Sequence, residues 1–359
     1  MQGLFRTFAG PGMGIDFCSN DYLGLSQLQP EPQSLNPILG LGSGASRLIS
    51  GNHALAEETE AWVAEHFGAD SALWYGSGYL ANLGLFSCLA SRGDTYLYDE
   101  FIHASIRDGL RLSQAHAYSF RHNDLEALRQ KASVARGRVF VVIESVYSMD
   151  GDTPPLEAIV KLCRDLGWYL IVDEAHSLGV FGNRGEGHTF SQGWDDVLLA
   201  RVLTFGKAAG FHGAMVLGSP VLKEYLTQFS RPLIYTTASS RADFITLRFK
   251  LEKLLMAEEA RLSLFRNVEQ FIRGMTQTSL ALMPSVSPIQ SVLCDGNDAA
   301  VRLAELLSAE GFEVRAVRSP TVPKGTERIR IILHSFNTQE QVGALVSALS
   351  HHKALMKIS

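Results

Sequence analysis

A lysine set among small residues is the first feature of this chain that could do chemistry. It lies in Leu203-Thr204-Phe205-Gly206-Lys207-Ala208-Ala209-Gly210, directly after the apolar run Val197 to Phe205. That run reads as a buried strand carrying one charge, Arg201. Small residues let a ligand approach the backbone. A crowded, partly desolvated lysine has its pKa pushed down, and the neutral amine attacks an aldehyde to form a Schiff base. A solvated lysine in a turn after a strand would look the same in isolation.

Other segments add to it. Gly76-Ser77-Gly78-Tyr79-Leu80-Ala81 follows one strand signal and opens a helix. It offers unpaired amides and a positive helix end to a phosphate. Asp99 closes the next strand, near where a dinucleotide fold needs an acid for a ribose, so a nicotinamide dehydrogenase is the rival reading. Asp173-Glu174-Ala175-His176 follows the strand Tyr169 to Val172, at the end where open sheets place ligands. The same four letters occur in motor ATPases, but the phosphate loop those need is absent here. His103 begins a helix just after a strand. Glu144 to Asp152 supplies acids and hydroxyls after another strand, and Gly40 to Arg47 is a glycine and serine cluster suited to an anion nest or a plain connector.

The rest of the chain must position these groups. Its 359 residues suggest two domains. Apolar residues make up 46%, which suits an ordinary globular chain, and the net charge of -5 argues against a nucleic-acid footprint. Four scattered cysteines with no Cys-x-x-Cys suit reduced thiols and no metal site. Met1 to Arg6 carries no apolar signal core, and no run of about 18 apolar residues exists, so a cytoplasmic chain without a membrane span is expected.

The expected organisation is a loop-rich arm over residues 1–52, a large domain over 53–240 and a small α+β domain over 241–359. A short strand is read at Ile15 to Phe17 and an amphipathic helix at Ala54 to Phe67. Strands then alternate with helices from Ser71 to Val172, which implies a mostly parallel α/β sheet covered on both faces. Gly213 to Leu217 reads as another strand, at an edge. One long helix is expected from Phe244 to about Met275. Strands follow at Ile289 to Leu293, Phe312 to Val317 and Ile329 to Leu333, with helices at Ala299 to Leu307 and Gln339 to Leu349.

The order of a Gly/Ser turn, a His, Asp-x-x-His and then Lys resembles the fold-type I enzymes that use pyridoxal phosphate. Within them the chain resembles the α-oxoamine synthases, through segments spread over nearly its whole length. These are Ser19-Asn20-Asp21-Tyr22-Leu23-Gly24-Leu25, Ser77-Gly78-Tyr79-Leu80-Ala81-Asn82, His103-Ala104-Ser105, Ser148-Met149-Asp150-Gly151-Asp152, Asp173-Glu174-Ala175-His176, Thr204-Phe205-Gly206-Lys207 and Pro320-Thr321-Val322-Pro323. Ala208-Ala209 replaces the glycine-containing pair often seen after the lysine.

The resemblance implies an aminotransferase-like fold with a mostly parallel seven-stranded sheet and a smaller C-terminal α+β domain. It implies pyridoxal 5'-phosphate on Lys207, with Asp173 at the ring nitrogen, His176 at the phenolic oxygen and His103 on the ring face. Gly78, Tyr79, Glu144, Ser148 and Thr204 would belong to the same pocket, with Thr236 or Thr237 near the phosphate of the partner's site. Arg330 would clamp the amino-acid carboxylate. Asn20 and Thr321 would lie near the substrate, and Arg6 would meet a distal carboxylate. The implied reaction joins L-alanine to a pimeloyl thioester of CoA or acyl carrier protein with loss of CO2, as in biotin biosynthesis, in a homodimer. Sister enzymes use glycine or serine with other thioesters.

Overall fold

The computed structural model describes residues 14–30 and 42–358. Arg6, Gly40 and Leu41 lie outside the described residues. The chain forms two compact units. Of the described residues, the larger holds those within Leu23–Ser148 and Asp152–Arg261; the smaller holds those up to Tyr22, Met149–Gly151 and those from Leu262 on.

Strand β1 (Ile15–Asp16) opens the described chain and belongs to the smaller unit. The first α-helix of the larger unit is α1 (Ala54–His66). Strands and helices then alternate: β2 (Ser71–Tyr75), α2 (Gly78–Cys88), β3 (Thr95–Asp99), α3 (Ala104–Leu112), β4 (His116–Phe120), α4 (Leu125–Gln130), β5 (Val139–Glu144), α5 (Leu156–Leu166) and β6 (Tyr169–Asp173). After them come β7 (Leu198–Thr204), β8 (Ala214–Gly218), α6 (Pro220–Phe229), α7 (Arg231–Ile234) and α8 (Arg241–Leu255).

Seven strands make one sheet in the order β2-β8-β7-β6-β5-β3-β4. The pairs from β7 to β4 are parallel, and β8 runs antiparallel to both its neighbours. Both faces are covered over the central strands, which is why Val139 to Ile143 of β5 and Leu170 to Val172 of β6 are unbroken buried apolar runs, while the edge strand β4 is partly exposed. Along β5, Phe140 and Val142 pack with Leu85, Phe86 and Ile106 of α2 and α3. Val139, Val141 and Ile143 point the other way, onto Ile159, Val160 and Cys163 of α5.

Three expectations change here. β8 is interior, not an edge: Ala214 to Leu217 are buried and β2 covers its outer side. Helix α6 is additional to the expected elements; Ser219 caps it and Pro220 takes its first turn. The long helix is two, α8 and α9 (Glu258–Thr276), broken at Met256 and Ala257. The Arg261 guanidinium donates to the Leu254 carbonyl at 2.7 Å, which satisfies the end of α8 and stabilises the stop.

The smaller unit contains β9 (Ile289–Leu293), α10 (Asn297–Ala309), β10 (Phe312–Glu313), β11 (Arg315–Val317), β12 (Arg328–Ile332) and α11 (Gln339–His351). Its antiparallel sheet has the order β11-β12-β9. The single strand expected over 312–317 is split at Val314. β10 pairs in parallel with β1, Ile15 against Phe312, while β11 pairs with β12. No helix among the described residues is long and apolar enough to cross a membrane.

Candidate active site

In the larger unit the chemistry gathers at the carboxyl ends of the parallel strands. Glu144 ends β5 and stands in register with Asp173 at the end of β6. Thr204 ends β7, and Lys207 lies half-buried in the turn beyond it. The hydroxyl of Ser77 caps α2 by accepting the Leu80 amide at 3.2 Å. A β-carbon on Gly78 would stand 2.5 Å from Thr204 Cγ2, so the start of α2 touches the end of β7. Thr204 Oγ1 is buried without a protein partner. A hydroxyl left unmet beside the outward-facing amides of a helix start suits a phosphate.

His103 caps α3, and its own amide donates to Glu144 Oε1 at 2.5 Å. The ring Nδ1 accepts from the Ser105 amide at 3.2 Å. A backbone amide can only donate, so the neutral ring carries its proton on Nε2. Desolvation lowers the His103 pKa; Asp173 opposes this and Lys207 adds to it. Burial pushes Glu144 well above the usual carboxylate range, Asp173 reinforcing and Lys207 opposing. Lys207, His103, Glu144 and Asp173 thus act on one another as a single electrostatic cluster.

Asp173 is buried, and both of its oxygens already have donors. The Ala175 amide reaches Oδ1 at 2.9 Å and Asn82 Nδ2 reaches Oδ2 at 2.8 Å. His176 is buried in the turn just after it. Beneath that turn the strand charge Arg201 finds its partner. It donates to Glu174 Oε2 at 3.2 Å, to the Glu186 carbonyl at 2.9 Å and to the Phe67 carbonyl. Glu174 Oε1 accepts the Thr189 amide at 2.8 Å, and a β-carbon on Gly187 would sit 1.7 Å from Oε2.

Other positions stand further out. Tyr79 is exposed and donates to Asp108 on α3. Ser148 is half-buried after β5. Thr236 and Thr237 are exposed between α7 and α8 and form no hydrogen bond with the cluster. Their neighbour Ala238 is tied to the glycine and serine segment: Ser43 Oγ donates to its carbonyl at 2.6 Å and its amide donates to the Ala45 carbonyl at 2.9 Å. Asp99 is not free for a ribose. Its carboxylate accepts the Phe101 and Asn123 amides at 2.8 and 2.9 Å and contacts His122 at 2.9 Å. The dinucleotide reading loses its acid.

In the smaller unit Arg330 donates to Asn20 Oδ1 at 3.0 Å, and the Tyr22 hydroxyl donates to the same oxygen at 3.3 Å. Arg328, two residues earlier on β12, pairs with Asp150, both buried. Thr321 is exposed in a turn closed by its amide on the Arg318 carbonyl at 2.8 Å.

Residues 13–349 match the family model described as Aminotransferase class I and II. The chain belongs to that family. A relative from Marinobacter nauticus is 37% identical over 99% of this chain and 94% of its own length. It is an 8-amino-7-oxononanoate synthase, as is one from Alkalilimnicola ehrlichii that is 40% identical over 93% of this chain and 87% of its own. Among solved structures, the 8-amino-7-oxononanoate synthase of Francisella tularensis superposes with a TM-score of 0.83 at 31% identity, covering 95% of this chain and 98% of that one. A serine palmitoyltransferase from S. paucimobilis, solved with a bound PLP–myriocin aldimine, gives 0.89 at 28%, covering 95% and 87%.

For this family member, sequence reasoning singled out Lys207, Asp173, His176 and His103 but gave no role to Asn82, Ser105, Arg201 or Glu174. Asn82 and Ser105 stand inside the Ser77 to Asn82 and His103 to Ser105 motifs, three residues from Tyr79 and two from His103. That proximity was the available signal. Their partners lie on other elements, which local spacing does not show.

Proposed function

We propose that this chain is a pyridoxal-phosphate-dependent acyltransferase that joins L-alanine to a pimeloyl thioester and releases CO2, giving 8-amino-7-oxononanoate. The observation that carries the reading is the strand-end cluster of Lys207, Asp173, His103 and Glu144 beside the unmet Thr204 hydroxyl. Relatives with that name at 37% and 40% identity over nearly the full length support the substrate pair.

The residues present fit the cofactor. Lys207 would hold it covalently, the Gly78 and Tyr79 amides with Thr204 would take its phosphate, Asp173 its ring nitrogen, His176 its phenolic oxygen and His103 its ring face. Ser148 and Glu144 complete that pocket. When bound, pyridoxal phosphate supplies an electron sink for charge at the amino acid's α-carbon.

The chain's own groups do the rest. Lys207, freed when the alanine amine takes its place, is then a neutral amine that takes the α-proton and returns a proton at the end. Glu144 fixes the backbone of His103, and the His103 Nε2–H is a donor for the thioester carbonyl. Arg330, steadied by Asn20, presents a guanidinium to the alanine carboxylate. Arg6 is assigned the distal carboxylate of the acyl chain, and Thr321 lies on the substrate side. In the substrates, the α-carbon bonds to the thioester carbonyl, the thiol leaves, the bond to CO2 breaks and a proton replaces it. The working form is a homodimer. Exposed Tyr235, next to Thr236, supports partner contact there.

The test is a spectrum of the purified protein. A visible absorption band should bleach with borohydride, and peptide mapping should then find the label on Lys207. Product assays with alanine, glycine and serine against several thioesters should favour alanine with pimeloyl thioester. A label on another lysine, or preference for serine or glycine, overturns the assignment.

A further inference from the structure

Asn82 lies on α2 and is only 2% exposed. Its side-chain amide has two hydrogens, and both are used. One goes to Asp173 Oδ2 at 2.8 Å and the other to Ser105 Oγ at 3.0 Å. Ser105 is fully buried, and its Oγ lies 2.7 Å from His103 Nδ1. With Ser105 Oγ accepting from Asn82, its own hydrogen is free to point at that nitrogen. The amide cannot be turned over. Turning it would set its carbonyl against the Asp173 carboxylate, acceptor against acceptor. Yet in this orientation Asn82 Oδ1 is buried with no partner. Such an unmet carbonyl is destabilising. A residue serving only to fill volume would not need that unmet group. No role in the reaction described above uses it.

We infer that Asn82 is a positioning residue: its two amide hydrogens fix the Asp173 carboxylate on one branch and, through Ser105, the His103 ring on the other. The inference rests on the reading that this site takes pyridoxal phosphate.

Donation and packing make different demands. Asparagine and leucine have nearly the same branched shape, but leucine donates nothing. Asn82→Leu would keep the volume, remove both donors and add no charge. Asn82→Ala removes volume and donors together. Ser105→Ala cuts only the His103 branch.

The experiment titrates apoprotein with pyridoxal phosphate, following protein fluorescence, alongside the thermal midpoint of each apoprotein. Asn82→Ala and Asn82→Leu should each weaken binding about tenfold or more, the loss expected when a hydrogen bond to a charged group goes. Ser105→Ala, which loosens only the His103 ring, should weaken binding by a smaller factor, about threefold. Wild-type affinity in either Asn82 variant overturns the inference, as does a Ser105→Ala effect that is absent or as large as that of the Asn82 variants. If the alanine variant fails to fold, the near-isosteric leucine variant still decides. Wild-type apoprotein is the control: if it takes up no pyridoxal phosphate, the reading of the site fails, not the role of Asn82.

Discussion

Gly78 and Thr204 approach so closely that a β-carbon on the glycine would stand 2.5 Å from the threonine Cγ2. One opens α2 and the other ends β7. Their contact brings the amides of a helix start up to a buried, unmet hydroxyl. The missing side chain is what makes that approach sterically possible.

Gly78→Ala should therefore push the two elements apart. Overpacking of this kind costs about 1–3 kcal/mol. The variant should fold with a thermal midpoint lowered by several degrees and bind pyridoxal phosphate at least about tenfold more weakly. Isothermal titration of the apoprotein checks this. Undiminished affinity would remove Gly78 and Thr204 from the phosphate site.

Asp173→Asn should lose more than a charge. Both carboxylate oxygens accept a hydrogen, from the Ala175 amide and from Asn82. An asparagine must turn its NH2 group toward one of these donors, at a cost of about 1–3 kcal/mol. Turnover should fall by about a hundredfold or more while circular dichroism keeps the wild-type shape. Activity near wild type would make Asp173 a purely structural group.

Arg330→Ala should raise the KM for alanine at least about tenfold if its guanidinium makes the proposed bidentate contact. Pyridoxal phosphate binding should be unchanged. Arg6→Ala should spare alanine and instead narrow the preference for pimeloyl thioester over a seven-carbon thioester without the distal acid. Steady-state kinetics with both thioesters separates the two arginines. Full discrimination in the Arg6 variant would move the distal-carboxylate role elsewhere.

Arg201→Met leaves the buried Glu174 carboxylate without its charged partner. Removing one member of a buried pair typically costs about 3–5 kcal/mol. Urea unfolding should show that loss, and the double variant with Glu174→Gln should recover part of it. If the double variant is no more stable than Arg201→Met, the two residues are not coupled.

The pH dependence of stability should report His122. Its ring bridges Asp99 and Asp152 at 2.9 and 2.8 Å. Burial disfavours the charged ring, but hydrogen bonds to Asp152 and Asp99 outweigh it and push the pKa from 6.5 up to about 10. The stabilisation is full below about pH 6.5 and is lost as pH rises toward 10. Across that window it falls by up to about 1.4 kcal/mol per pH unit. His122→Asn should remove this slope, so the gap in thermal midpoint from wild type should shrink between pH 7 and 9.5. A gap that stays constant would mean the ring is neutral in the folded protein.

The sequence by itself determined the alternation of strands and helices and the place of Lys207, Asp173, His103 and Glu144 at or just beyond strand ends. Those features depend on neighbours within a few positions: apolar runs make the buried strands, and polar residues follow where each run stops. Only the tertiary structure decided that β8 is interior, that β1 pairs with β10, that Arg201 meets Glu174, that Arg328 meets Asp150 and that Asn82 reaches Asp173. Asn82 and Asp173 are 91 positions apart, and Arg328 and Asp150 are 178 apart. Such partners meet because strand order and helix docking carry them together. Burial then forces each polar group to find whichever donor or acceptor the fold has brought within reach.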